Sequence, residues 1–161
     1  MAMKPLLALS ALVLAASPAA TQAPAPAPPS VYGAPIALGD AQKLIERGIR
    51  LAAARNLKLA FAVVEPSGEL VAFARMDGVP YASIRIAQQK ARSAARLRIP
   101  TAELEQRVLA GRTVLLSSDE VIAVAGGVPI SANGQVIGAL GVSGASAAED
   151  AAVATAVIDG Q

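Results

Sequence analysis

Neither histidine nor cysteine occurs in the 161 residues, so any chemistry falls to arginine, lysine, carboxylate, tyrosine and methionine side chains. That composition excludes a serine–histidine–aspartate triad, a histidine zinc site, and a thiolate nucleophile or ligand. The remaining reactive groups concentrate in Arg75-Met76-Asp77-Gly78 and in the nearby Tyr81 and Lys90. By strand parity Arg75 falls on a face that a helix should cover. A covered guanidinium needs an anion: Asp77, the carboxylate of a small ligand, or an acid from another subunit. Lys90 follows Ser83 by two helical turns, with Ala87 between, so the three share one helix face. A lysine on such an alanine-lined face either serves as a base or imine-forming amine, or reaches the surface along its own methylenes. Met76 reads as a core or pocket-lining side chain that fills irregular space. Glu103 and Glu105 stand two apart on a predicted helix and diverge, so they do not build a metal site by themselves.

Charge is informative in its distribution rather than its total. Fourteen basic and twelve acidic residues leave a net charge of only +2. Arg85, Lys90, Arg92, Arg96 and Arg98 nevertheless crowd one predicted helix with no acid among them, whereas Asp119, Glu120, Glu149 and Asp150 lie in the C-terminal third. The cluster is a solvated helix face, an anion site or a charged subunit interface. Basic residues here lack interleaved aromatics, which argues against a nucleic-acid partner.

The elements that must position these groups follow from periodicity. Ala41, Leu44, Ile45, Gly48, Ile49 and Ala52 repeat at helical spacing over residues 40–55, with Asp40 as a start signal. Leu59 to Glu65 and Glu69 to Met76 read as two strands joined at Ser67-Gly68, which sets Phe61 opposite Ala74 and Ala62 opposite Phe73. One face then carries Leu59, Phe61, Val63, Leu70, Ala72 and Ala74, and the other Ala60, Ala62, Val64, Val71 and Phe73. Both faces are apolar, so both must be covered, and a three-layer arrangement follows. Pro80 suits the first turn of a helix running to about Leu97, whose inner face is Ser83, Ala87, Ala91, Ala94 and Ala95. Thr101 opens a short helix to about Ala110. Val121 to Ala125 reads as a further strand, and a final helix spans Ala147 to Ile158.

The most specific segment is Gly126-Gly127-Val128-Pro129-Ile130, then Gly138-Ala139-Leu140-Gly141-Val142-Ser143-Gly144, then Glu149-Asp150. Asn133-Gly134 between its apolar runs suits the two positive-φ positions of a type I′ turn. Ser146 to Glu149 has the form of a capping box. Taken in order with Arg75-Met76-Asp77-Gly78 and Lys90-Ala91, this segment resembles the GlcG/HbpS family, a haem-binding, PduO C-terminal-like domain, over about residues 36 to 159. The resemblance implies a profilin-like three-layer α/β/α sandwich, with a five-stranded antiparallel sheet, and frequent homo-oligomerisation. In some members it implies haem binding. The absence of histidine departs from members whose iron is thought to take one. The axial ligands left here are Met76, Tyr81, Tyr32 and Lys90, of which tyrosine and methionine are known haem ligand types. Arg75, Met76, Asp77, Tyr81 and Lys90 are therefore the candidate ligand-binding residues.

The N-terminus carries Lys4, an apolar run from Leu6 to Ala16, then small residues and Pro18, the regions of a secretory signal. The run is too short to anchor stably in a bilayer, which takes roughly 20 residues. Residues 1–22 are expected to be a signal peptide, 23–35 a proline- and alanine-rich extended spacer, and 36–161 the folded domain. With no disulfide to staple it, that domain must rely on core burial and subunit contacts. The expected interface uses the helix from Tyr81 to Leu97 or the segment from Gly126 to Ile130, with Glu149 or Asp150 of a neighbour facing the arginines. The resulting expectation is a periplasmic or secreted, homo-oligomeric protein binding a small anionic ligand, with haem or a related tetrapyrrole as the leading cofactor. The alternatives are an enzyme on a small hydroxy- or oxo-acid, with Arg75 holding the carboxylate and Lys90 or Asp77 moving a proton, and an assembly protein without a small ligand.

Overall fold

A computed structural model describes Met1 and residues 31–160. The expected signal peptide beyond Met1 and residues 23–30 of the expected spacer lie outside the described residues. The chain runs β1 (Val31–Tyr32), α1 (Leu38–Ala54), β2 (Ala60–Val64), β3 (Leu70–Arg75), α2 (Ala82–Leu97), α3 (Thr101–Leu109), a 3-10 turn (Thr113–Ser117), β4 (Gly127–Ala132), β5 (Gln135–Ser143) and α4 (Ala147–Asp159). Among the described residues no helix is long and apolar enough to cross a membrane.

β5 is the axis of the sheet. It pairs antiparallel with β4 through the Asn133-Gly134 hairpin, where both turn residues hold positive φ (51° and 75°) as a type I′ turn requires. Along its opposite edge lie β2, antiparallel over Ala139 to Ser143, and β1, parallel at Gln135 and Val136. β3 completes the sheet beyond β2, with Phe61 opposite Ala74 and Ala62 opposite Phe73 as the sequence predicts. The sheet is thus five-stranded but mixed, which corrects the antiparallel expectation. The fifth strand is not Val121–Ala125 but Val31–Tyr32, which lies within the stretch 23–35 expected as spacer.

The 121–125 segment stays irregular for local reasons. Ser93 Oγ donates to the Glu120 carbonyl at 2.8 Å and accepts from Ile122 N–H at 2.9 Å, giving that backbone partners outside any ladder. Gly126 then turns the chain with φ of 128° before β4 begins.

Helices cover both faces of the sheet. α1 and α4 pack Ala41, Ile45, Ala52, Val153, Ala154 and Val157 against Leu59, Phe61, Val63, Leu140 and Val142. α2 packs Ala87, Ala91, Ala94 and Ala95 against Ala60, Ala62, Val64 and Ala139. The second interface is alanine against small residues, so helix and strand backbones approach closely. At Gly141 a Cβ would collide with the carbonyl oxygen of Ala87, and at Gly127 with that of Lys90.

Two local details differ from the parity reading. The β2–β3 turn centres on Pro66 and Ser67, with Gly68 N–H donating to the Glu65 carbonyl and Gly68 at φ of 88°. The register also shifts between Val63 and Val64, so that Val64 faces Leu70 while Val63 faces Ala72. The extra residue, Val71, packs with the α1 side, and Leu70 moves to the α2 side.

Candidate functional site

The structure divides the five predicted site residues between an exposed corner and a buried ion pair. At the corner, β3 ends at Arg75, and Met76 N–H still donates to the Leu59 carbonyl at 3.1 Å. Gly78, at φ of 82°, then turns the chain toward α2. α2 begins only at Ala82, one residue beyond Tyr81, so no helix roofs Arg75 and it is exposed. The expected Arg75–Asp77 pair does not form. The Arg75 guanidinium carbon instead lies 5.7 Å from the centroid of the Tyr81 ring, within cation–π range. Tyr81 is 82% exposed, and its hydroxyl has no hydrogen-bond partner among the described residues. Asp77 is exposed beside them. Met76 is half-buried and packs against both core clusters, so its thioether is occupied as a gap-filler at the sheet margin.

Lys90 behaves otherwise. It is 1% exposed and does not reach the surface along its methylenes. Its Nζ donates to Asp150 Oδ2 at 2.8 Å and to the Val142 carbonyl at 3.0 Å. Asp150 Oδ1 in turn accepts from Ala145 N–H at 3.0 Å. The pair joins α2 on one face of the sheet to the first turn of α4 on the other. Gly126 makes room for it: a Cβ there would lie 2.8 Å from Lys90 Nζ and 2.6 Å from the Val142 carbonyl oxygen.

Of the two acids expected at a subunit contact, the geometry withdraws Asp150 and leaves Glu149 exposed. Asp150 is buried against Lys90. Glu149 closes the capping box with Ser146, whose Oγ accepts from Glu149 N–H and bonds the Glu149 carboxylate. The Ser146 hydroxyl and backbone N–H hold the Glu149 carboxyl below the usual glutamate range. The glycines of the Gly126–Ile130 segment are likewise spent inside the chain, against α2 and Thr101. Asp150 is the functional-looking residue that sequence reasoning missed as a partner of Lys90.

On the outer face of α2, Arg96 is fully engaged. Its NH1 donates to both oxygens of Glu120 at 2.7 Å, and its Nε to the Ser67 carbonyl at 2.6 Å. The bond to Arg96 lowers the Glu120 pKa and raises that of Arg96.

Residues 36–159 match the family model described as haem degrading protein HbpS-like. The chain is 40% identical to the protein GlcG of Escherichia coli K12 over 103 residues, which is 64% of this chain and 77% of that one. Its fold superposes on a double mutant of HbpS from Streptomyces reticuli with a TM-score of 0.74 and 29% identity, covering 88% of this chain and 97% of the other. A PduOC–haem complex superposes with a TM-score of 0.70 and 25% identity, covering 79% and 95% of the two chains.

Proposed function

The chain belongs to the HbpS-like family, and on that footing we propose that it is an exported small-molecule binder whose ligand is haem or a related tetrapyrrole. The observation that carries the reading is the Arg75–Tyr81 corner. It offers an oxygen donor of a known axial-ligand type, the Tyr81 hydroxyl, which has no hydrogen-bond partner among the described residues on a side chain that is largely exposed. Beside it stands a guanidinium with no acid within 4.0 Å among the described residues. The donor set fits the group: Tyr81 would hold the iron and Arg75 a propionate. A haem-bound relative of the same fold supports the reading, and the signal-like order of Lys4, the apolar run from Leu6 to Ala16 and Pro18 supports export. The open corner supplies one wall of such a site. A second wall from another copy of the chain completes the proposal and makes the protein a homo-oligomer.

The competing reading, an enzyme on a small hydroxy- or oxo-acid with Lys90 or Asp77 moving a proton, loses Lys90, which is buried against Asp150 without access to a substrate, and rests on the exposed Asp77. The test is a hemin titration of protein lacking residues 1–22. A saturable change in the Soret band, lost in Tyr81→Phe and weakened in Arg75→Ala, is expected. An unsaturable or unchanged Soret band in the parent protein would overturn the tetrapyrrole reading.

A further inference from the structure

We propose that the groove between α2 and β3 is a second binding site, for a small carboxylate that also carries a hydroxyl or ammonium group, with Arg85 as its anchor. The groove encloses about 260 Å³ and lies between Val64, Gly68, Glu69 and Leu70 on the sheet side and Arg85, Gln88, Gln89 and Arg92 on the helix side. Its construction follows from features already described. The register shift in β3 brings Leu70 onto the α2 face, where it is 49% exposed and forms an apolar floor with Val64. Gly68 keeps one end open, since a Cβ there would lie 2.8 Å from Arg92 Cγ.

The arginines on and just after α2, of which Arg85 and Arg92 line the groove, are unequally committed. Arg96 gives its fork to Glu120, Arg92 stands 4.0 Å from the same carboxylate, and Arg98 lies over the Tyr32 ring at 5.0 Å. Of these four arginines Arg85 alone has neither an ion pair nor a ring contact among the described residues, and it borders the groove. A guanidinium in that position presents a planar fork that matches a carboxylate in bidentate fashion.

The other polar groups define the rest of the ligand. Gln88 donates its amide nitrogen to the Ile84 carbonyl at 3.1 Å, which leaves its oxygen free to accept. Glu69 at the rim only accepts. A bare carboxylate offers these acceptors no donor, whereas a hydroxyl or ammonium can donate to them. A second carboxylate would meet Glu69 and be repelled. The volume suits a molecule of a few carbons resting on Leu70 and is far too small for a tetrapyrrole, so this site is distinct from the Arg75–Tyr81 corner.

The test is a set of amide chemical-shift titrations on haem-free protein lacking residues 1–22, with L-lactate, L-alanine, propionate and inorganic phosphate. Saturable shifts centred on Gly68, Leu70, Gln88 and Gln89 with lactate or alanine are expected, with propionate at least tenfold weaker. Arg85→Gln should abolish them while the rest of the spectrum stays unchanged, because Arg85 is exposed and makes no internal bond. The proposal is overturned if neither lactate nor alanine shifts those amides, if phosphate binds as tightly as either, or if Arg85→Gln binds like the parent.

Discussion

Lys90 and Asp150 sit sixty positions apart in sequence and 2.8 Å apart in space, each nearly closed to water. Breaking such a pair leaves one charge buried and uncompensated, at a cost of about 3–5 kcal/mol. Lys90→Met is therefore expected to lower the urea midpoint by that equivalent at unchanged m-value, and adding Asp150→Leu to recover most of the loss. Recovery would be incomplete because the Ala145 N–H and the Val142 carbonyl each lose a partner. A Lys90→Met variant with parental stability would show that the ion pair contributes nothing. Glu149 gives a pH signature of known sign. Its folded pKa is depressed, so its contribution is present above the unfolded glutamate value of about 4.3 and is lost as pH falls through the lower folded value. The stability difference between the parent protein and Glu149→Gln, followed by thermal unfolding, should thus shrink toward zero as pH drops below 4. At this scale the sequence made half of the site legible. Residue type alone exposed Arg75, Tyr81 and Lys90 as the groups worth following. Nothing local marked Asp150 as the partner of Lys90, because a contact between two helices on opposite faces of a sheet leaves no spacing to read.

Helices and hairpins were readable wherever periodicity and turn chemistry acted together. The Asn133-Gly134 hairpin, the Ser146 capping box and the β2–β3 pairing all emerge from short-range rules, and all are found. Elements governed by long-range competition were not readable. Val121–Ala125 has the composition of a strand, yet both edges of β5 are taken, and Ser93 draws its backbone into side-chain bonds. Val31–Tyr32 looks like the end of a linker, yet it finds a vacant stretch of that same strand. Leu70 lies on the face opposite to that given by simple alternation, because one bulge reverses the parity. The close seating of α2 also yields a comparison between glycines. At Gly141 the obstacle to a Cβ is backbone, the Ala87 carbonyl and the Ala91 nitrogen, so Gly141→Ala must push α2 off the sheet. A loss of about 1–3 kcal/mol is expected, as for overpacking generally. Gly39, in the first turn of α1, has open space around it and ordinary φ, so Gly39→Ala should add about 0.5 kcal/mol. Equal denaturation midpoints for the two variants would refute the tight-seating account.

For the molecule as a whole, the proposed assembly carries the plainest expectation. Tyr81, Leu109, Val114 and Leu116 are each more than half exposed, a large apolar allowance for a domain with no disulfide. Light scattering on protein lacking residues 1–22 at micromolar concentration should give a mass above that of one chain. A single-chain mass maintained over a hundredfold dilution would remove the second wall proposed for the tetrapyrrole site. The layered architecture itself was legible because both faces of the β2–β3 hairpin are apolar, and two dry faces admit few other solutions. One further consequence lies in the position of β5 along the chain. The strand on which β1, β2 and β4 all depend is residues 135–143, near the end of the polypeptide. During synthesis from the N-terminus, α1, the β2–β3 hairpin and α2 all emerge before the strand that organises them, and Lys90 emerges before its counter-ion. Until residue 143 has been made, the early segments have no completed sheet to settle on, and compaction must wait. Under the export proposed above, in which the chain is threaded through a channel while still extended, this timing is useful: the piece that locks the fold is among the last to be delivered.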